Sequence, residues 1–419
     1  MPTALHLNLV YPPGLPDDVS PLGGRVSGAL KICIAVMAVT GATLLVYGLT
    51  ADDTKQLFHS YLFGYVLALD ISLGSLFWVL IHHVADAGWS AGLRRVYENL
   101  TRAIVPMGFL IIPVLVGIYS GNLHDWYGFV SQPEPEEPHL LHQWHVKHVY
   151  FSAPFFAVRI ALYFSIWFVY STALRRWSIK QDALGGSIFT RKMQRWAPSG
   201  MLLLGLTSTY FAFDLLMSLQ YTWFSTIFGV YFWVGGIRGS LSFAVLLVLA
   251  FRASGHLRNT ITIEHLHDAA KLMFGFTVFW AYIAFSQYFL IWYGNVPEET
   301  QYYLLRRNGA WYEASIALPI VNFAIPFFLL LPRASKRNPI ALAFSAGWIL
   351  LGHGFDLYWQ ILPVLHRDTI HLHGLDAIAP VFGLSVLSFS ATRGMQRSPL
   401  IPIRDARLNE SIGYENDTP

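Results

Sequence analysis

Apolar residues recur along this chain in runs of about twenty, separated by short polar connections that collect arginine, lysine, aspartate and proline. An α-helix rises about 1.5 Å per residue, so a run of about 20 apolar residues carries it across roughly 30 Å of hydrocarbon. Ten segments reach that length: 29–49, 57–83, 103–121, 148–173, 199–219, 224–251, 270–293, 311–331, 340–362 and 376–392. The pattern predicts an all-α polytopic membrane protein with ten transmembrane helices, the fourth and sixth long enough to tilt.

Composition strengthens that expectation. Of 419 residues, 54% are hydrophobic and 13% charged, with a mean hydropathy of +0.44, and a water-soluble core cannot hide that much apolar surface. A net charge of +3 is too small and too scattered for a nucleic-acid partner. The single cysteine, Cys33, excludes an internal disulfide, a CxxC pair, a CxxCH haem attachment and a cysteine-ligated iron–sulfur cluster. Any redox cofactor is therefore expected in a partner chain. The stretch to about Gly28 is rich in proline and aspartate and lacks a basic n-region with a cleavage site, so no removed signal peptide is expected.

Lysine and arginine on the connections set orientation. Counting alternate sides puts 21 of the 28 on one side and five on the other, with Arg159 and Arg238 inside spans. Both termini are thus expected in the cytoplasm, and an even number of spans is favoured. The longest outer connection contains Pro133, Glu134, Pro135, Glu136, Glu137 and Pro138, a stiff acidic turn suited to water or an extramembrane partner. His139, His142, His145 and His148 follow at three-residue spacing, a stripe that can gather side chains on one helical face but lacks a familiar metal-ligand pattern.

The second to fifth spans are weakly repeated in the sixth to ninth. Ser60, Phe63, Gly64, Gly74, Ser75 and Leu76 recur as Ser225, Phe228, Gly229, Gly239, Ser240 and Leu241, at a constant offset of 165. Tyr119-Ser120-Gly121-Asn122 matches Trp292-Tyr293-Gly294-Asn295, Pro154-Phe155-Phe156 matches Pro326-Phe327-Phe328, and Phe213-Asp214-Leu215 matches Phe355-Asp356-Leu357. A repeat of four helices keeps its orientation, so two like-oriented four-helix bundles are expected, helices 2–5 and 6–9, with helices 1 and 10 peripheral. The division is 1–28 cytoplasmic segment, 29–56 helix 1, 57–219 first bundle, 220–362 second bundle, 363–393 outer loop and helix 10, and 394–419 cytoplasmic tail.

Ionisable groups in hydrocarbon cost at least about 2.5 kcal/mol each and normally face a bundle interior, a partner or a polar path. Asp70, Arg159, Asp214, Arg238, His353 and Asp356 qualify, as a candidate proton path. The competing reading is structural ion pairing, for instance Asp70 with Arg159. His265, His267, Asp268 and Lys271 form a candidate inner entrance; His59, Glu313, His371, His373 and Asp376 stand near helix ends as a candidate outer exit. Only His353 lies deep, which argues against haem b between two helices. Trp280, Tyr282, Phe285, Tyr288, Trp292 and Tyr293 can flank a quinone ring or form packing and an interfacial belt.

Two runs carry a family resemblance. One is Phe211-Ala212-Phe213-Asp214-Leu215-Leu216-Met217-Ser218-Leu219, followed by Trp223-Phe224-Ser225-Thr226-Ile227-Phe228-Gly229-Val230-Tyr231. The other extends from Phe279-Trp280-Ala281-Tyr282 to Val296-Pro297-Glu298-Glu299-Thr300. Together they resemble the ActF membrane subunit of bacterial alternative complex III, a quinol:electron acceptor oxidoreductase; the match is good over the fourth to eighth spans. The resemblance implies an NrfD-like architecture of two four-helix bundles in a bacterial inner membrane. Its implied partners are an NrfD-like sister subunit, ActC, better suited to quinol oxidation, an iron–sulfur subunit, c-type cytochrome subunits, membrane lipids and the quinol pool. It implies haem c and iron–sulfur clusters in those partners, a quinone or quinol as candidate ligand, and no catalysis by this chain alone. No family site transfers residue by residue, so the candidate site rests on burial and charge. Rival readings are a secondary transporter, a structural scaffold, and an independent NrfD-like quinol-binding anchor.

Overall fold

A computed structural model describes residues 17–412, 414 and 415, all helix and irregular segments without strand among them. Ten helices are long and apolar enough to cross a membrane: α1 Ser27–Thr50, α2 Lys55–Val84, α3 Ala91–Tyr119, α4 Ala153–Leu184, α5 Ile188–Gln220, α6 Phe228–Ala253, α7 Ile263–Gly294, α8 Ala310–Leu330, α9 Pro339–Val364 and α10 Gly374–Arg397. The protein is a multi-pass membrane protein. Most helices outrun their apolar segments at the end that bears the basic connections; α5 begins eleven residues before the predicted 199. Hydropathy marks where hydrocarbon begins, whereas backbone hydrogen bonding continues into the polar zone.

Local chemistry fixes several ends. Asn338 accepts from the backbone N–H of Ile340 and Ala341 ahead of Pro339, a side-chain cap for α9. Thr262 and His265 form a reciprocal cap on α7, which stops at left-handed Asn295 shortly before Pro297. His373 and Asp376 do the same for α10. Helix α8 is interrupted: between Pro319 and Pro326 the backbone widens into a π-helical turn, Ile320–Ala324, which turns Asn322 inward.

Packing runs α2–α3–α4–α5 and back to α2, and α6–α7–α8–α9 and back to α6, with α6 laid against both α2 and α5. Helix α2 is the buried axis of the molecule. It crosses α6 where Gly74 meets Gly236: a Cβ on Gly74 would stand 2.2 Å from the Gly236 carbonyl oxygen. Small residues at a crossing let backbones touch, the usual means of joining helices in lipid. Helix α10, expected at the periphery, makes the most extensive pairing of all, along α2. A Cβ on Gly64 would fall 2.2 Å from the Ala379 carbonyl carbon, and one on Gly383 2.4 Å from the Gly64 oxygen. The outer position belongs to α1, which touches chiefly α10.

The C-terminal segment also differs from a free tail. Leu400, Ile401, Ile403 and Leu408 are buried, and Leu400 N–H donates to the Val19 carbonyl, so the chain after α10 folds back over the basic end. Residues 1–16 of the expected N-terminal segment, and 413 and 416–419 of the expected tail, lie outside the described residues.

Candidate functional site

The deepest polar contact joins the two rings. Asp70 on α2 places Oδ2 3.2 Å from Nε2 of His353 on α9, both side chains almost wholly buried. They reach each other across α6, whose glycines provide the room. A Cβ on Gly236 would stand 2.0 Å from Asp70 Oδ1, and Cβ atoms on Gly235 and Gly239 would stand 3.0 Å from the His353 ring. Asp70 Oδ2 and both ring nitrogens of His353 lack an aligned hydrogen bond from the protein. Buried polar atoms are usually hydrogen-bonded, so three unpaired ones on facing side chains leave this pair unlocked.

Asp356, one turn from His353, is held by neutral donors. The Tyr231 hydroxyl and the Gln360 amide donate to Oδ1, the latter at 3.1 Å, and the Trp280 indole donates to Oδ2 at 3.0 Å. Arg238 on α6 donates from Nη1 to the Asn322 carbonyl at 2.7 Å and from Nη2 to its side-chain oxygen at 2.6 Å. The π-turn of α8 makes this possible by presenting both Asn322 oxygens to one guanidinium. That guanidinium also lies 5.0 Å from the Trp280 ring centre. Asp70 and Asp356, and Arg238 with both His353 and Asp356, stand close enough for their charges to interact. These four residues are therefore one electrostatic cluster.

Arg159 and Asp214 form a separate centre. Arg159 Nε and Nη2 donate to the two Asp214 oxygens at 3.0 and 2.8 Å, and the Tyr163 hydroxyl adds a third bond at 2.9 Å. Arg159 Nη1 donates to the Tyr150 carbonyl at 2.6 Å, and its guanidinium lies 3.8 Å over the Tyr150 ring. The alternative pairing of Asp70 with Arg159 is not formed, because each takes a partner from a different helix: His353 on α9 and Asp214 on α5. Asp214 and Asp356 occupy matched sequence positions and each accepts from a tyrosine, but the other partners differ: a guanidinium on α4 for Asp214, an indole and an amide for Asp356.

The candidate entrance residues come together at the basic end, under the C-terminal segment. His265 Nε2 lies 3.1 Å from Ser411 Oγ and its ring packs on Tyr414; Asp268 accepts from the Tyr414 hydroxyl and pairs with Lys271 at 2.6 Å. His267 is buried beside them. Burial and the Asp268 carboxylate raise the Tyr414 pKa to about 12, so it remains a donor. At the other end, Asp376 accepts from Ser60 at 2.5 Å and Gln56 at 2.9 Å, and Gln56 also bonds His366. His59 bonds the Lys55 carbonyl and is buried, His373 caps α10, and His371 stacks near His366. Glu313 is exposed on the first turn of α8 and does not join Asp376. Of the histidine stripe, His145 pairs with Glu134 and His148 stacks on Trp144, while the side chain of His139 lies outside the described residues. Among the described residues no three His, Cys, Asp or Glu side chains gather to hold a metal ion.

Two buried centres escaped the sequence. Arg94 and Arg95, read as connection charges that set orientation, are buried in α3: Arg94 pairs with Glu98 at 3.0 Å and Asp405 at 2.6 Å, and Arg95 with Asp182 at 2.6 Å. His82 joins them through Arg94 Nη1, and a cavity of about 190 Å³ opens beside His82, Arg94, Trp78, Trp89 and Tyr97. Burial raises the Asp405 pKa, but Arg94 outweighs it and holds the group below its ordinary value. Arg306, also read as a loop charge, is caged by the carbonyls of Tyr302, Trp359 and Gln360 and by Gln220, 3.5 Å over the Tyr302 ring. The signal available for both was a short-range one, the arginine–glutamate spacing at 94 and 98 and the aromatic pair at 302 and 303.

No protein-family model matches the chain, and no curated protein matches its sequence. The family resemblance therefore rests on the residues quoted for it.

Proposed function

We propose that this multi-pass protein is the membrane subunit of a quinol:electron acceptor oxidoreductase of the alternative complex III type, supporting quinol oxidation and carrying protons within its helices. The observation that carries the reading is the Asp70–His353 pair, a carboxylate and an imidazole placed mid-bundle and accommodated by three glycines of α6. Uncompensated ionisable groups are costly in hydrocarbon, and a carboxylate–imidazole pair free of locking donors is suited to pass a proton. Arg238 and Asp356 extend the same cluster along α6 and α9. The partners are the ActC-like sister subunit, an iron–sulfur subunit and c-type cytochromes of a bacterial inner membrane, and the redox groups sit in them. Both termini face the cytoplasm in this reading, which places the Arg94 network and the C-terminal cover on that side.

The test is quinol oxidation by the whole assembly in proteoliposomes, with Asp70→Asn and His353→Gln. The expected result is a proton-to-electron ratio or turnover lowered severalfold with partner haems and clusters retained. Unchanged proton stoichiometry and rate in both variants would remove the pair from any proton route. Purification of the chain without haem- or cluster-bearing partners would reject the complex itself.

One observation favours a second reading, a secondary transporter. The π-turn of helix α8 directs the Asn322 carbonyl toward Arg238 at the bundle interior, and irregular helix geometry at mid-depth is a feature of transport sites. Substrate-dependent, quinol-independent uptake by the chain alone in liposomes would support it over the first.

A further inference from the structure

Four arginines meet at the basic end where α3, α4 and α10 leave the hydrocarbon. Arg102 precedes the apolar run that starts at 103, Arg175 follows the one ending at 173, and Arg393 follows the one ending at 392, with Arg397 one turn beyond. The chain therefore brings three separate run boundaries to one level, the level at which lipid phosphates lie.

The contacts there give these guanidinium groups only neutral acceptors: the Ser390 carbonyl, the Ser398 hydroxyl and, for Arg393 Nη1, the Gln396 side-chain oxygen at 2.7 Å. Arg102 is laid across Gly394 of α10, where a Cβ would stand 2.7 Å from its Cδ, and its Nε reaches the Ser390 carbonyl at only 3.3 Å. Arg393 and Arg397 are near enough to act electrostatically on Arg102. Arg175 donates from Nη2 to Ser398 at 3.2 Å, while its Nη1 is buried without a partner. Asn99, wholly buried against Gly394, has both amide atoms unpartnered. The neighbouring carboxylates, Glu98 and Asp182, form their ion pairs with Arg94 and Arg95 and reach Arg175 only electrostatically, without an ion pair to it. Like charges gathered this closely repel unless an anion sits among them.

A second observation says what kind of anion. From Arg102, the exposed residues of α3 run Val105, Phe109, Ile112 and Val116, at spacings of three, four, three and four, so they share one face of the helix. From Val105 to Val116 the stripe is about 16 Å long at 1.5 Å per residue, about half the hydrocarbon thickness. A phosphate alone does not use such a stripe; an acyl chain does.

We propose that Arg102, Arg393 and Arg397, backed by Arg175, bind the phosphate of an anionic phospholipid whose acyl chain follows the Val105–Val116 face of α3. The site would select phosphatidylglycerol-type lipids over zwitterionic ones and hold one in the groove between α3 and α10.

The experiment is native mass spectrometry of the full-length protein released from nanodiscs of mixed phosphatidylglycerol and phosphatidylcholine, comparing wild type, the triple variant R102Q/R393Q/R397Q, the triple R102K/R393K/R397K, and a control triple R176Q/R191Q/R195Q at exposed positions. At roughly fivefold per basic residue, the Gln triple should retain phosphatidylglycerol on the order of 100-fold less than wild type. The Lys triple should keep most of it, and the control should match wild type. Equal retention of both lipids by the wild type overturns the proposal, and so does a control loss as large as that of the Gln triple. Displacement of the lipid by millimolar inorganic phosphate would reassign the arginines to a soluble anion and equally overturn it. Should the Gln triple fail to fold, the wild-type lipid preference and the Lys triple still decide.

Discussion

Asp70 of α2 and His353 of α9 stand 3.2 Å apart with a third helix between their backbones, a contact that only the glycines at 235, 236 and 239 of α6 permit. The proposed proton-carrying role of the pair and the packing of the fold are thus tied to the same few positions. A side chain on α6 here would separate the rings and displace the carboxylate together.

Gly236→Ala should for that reason injure function more than stability. Its Cβ falls on the Asp70 carboxylate, which can swing away by a rotamer change costing about 0.5–1.5 kcal/mol, but the distance to His353 then lengthens. Gly74→Ala meets backbone instead, 2.2 Å from the Gly236 oxygen, and the helices must part. It should cost about 1–3 kcal/mol, as overpacking of a tight interior does. Gly275→Ala, with nothing within 4 Å, is the control and should be neutral or gain up to about 1 kcal/mol from helix propensity. Thermal unfolding in detergent and, on the proposed function, quinol-driven proton release by the whole assembly measure the two effects separately.

The Arg159–Asp214 centre should behave as a buried ion pair. Removing one partner leaves the other charge unmatched, so Arg159→Leu or Asp214→Leu should each cost about 3–5 kcal/mol, while the double replacement should cost much less than their sum. A double-mutant cycle on thermal or denaturant unfolding checks this. Additive losses would mean that the two side chains act independently, contrary to their bidentate geometry.

The C-terminal cover should loosen in acid. Asp405 has its pKa held below the ordinary 3.8 in the folded chain despite the opposing effect of burial, mainly by Arg94. The docked state thus binds fewer protons than the undocked one between the lowered value and 3.8, and docking strengthens as pH rises through that window. Above it the full contribution is present; as pH falls through the folded pKa it is lost. Carboxypeptidase release of residues after Ile403, followed from pH 7 down to pH 3, should accelerate only near the bottom of this range, and Asp405→Asn should release them at neutral pH.

The ten spans were legible because hydropathy is a property of each run taken alone. Where helices meet was not. The glycines at 64, 74, 236 and 383 gave no sign of their partners, and α10 became an inner neighbour of α2 through two of them. Arg94 and Arg95 look like any basic connection until Asp182 and Asp405, distant in sequence, arrive beside them. The six interior charges could be named from burial alone, yet their sorting into a cluster of four and a pair of two needed the third dimension. Asp214 and Asp356, equivalent by alignment of the two halves, proved to be held by different chemistry.

That last difference gives a separable pair of outcomes. Asp214 answers a guanidinium with both oxygens, so Asp214→Asn should cost stability first. Asp356 receives three neutral donors, Tyr231 and Gln360 on Oδ1 and Trp280 on Oδ2. An Asn amide can serve only one of those oxygen positions as an acceptor, and turning its NH₂ toward the indole N–H leaves two donors facing each other, at about 1–3 kcal/mol. The Tyr231 and Gln360 bonds survive, so the fold should persist. What disappears is the carboxylate beside Arg238 and Asp70, and with it a proton-accepting group of the proposed route. Asp356→Asn should therefore lower proton-coupled turnover by about tenfold or more with a modest fall in melting temperature, whereas Asp214→Asn should lower the melting temperature further and turnover per folded molecule less. The reverse ordering, read from parallel unfolding and turnover measurements, would move the functional centre to the Arg159 side of the molecule.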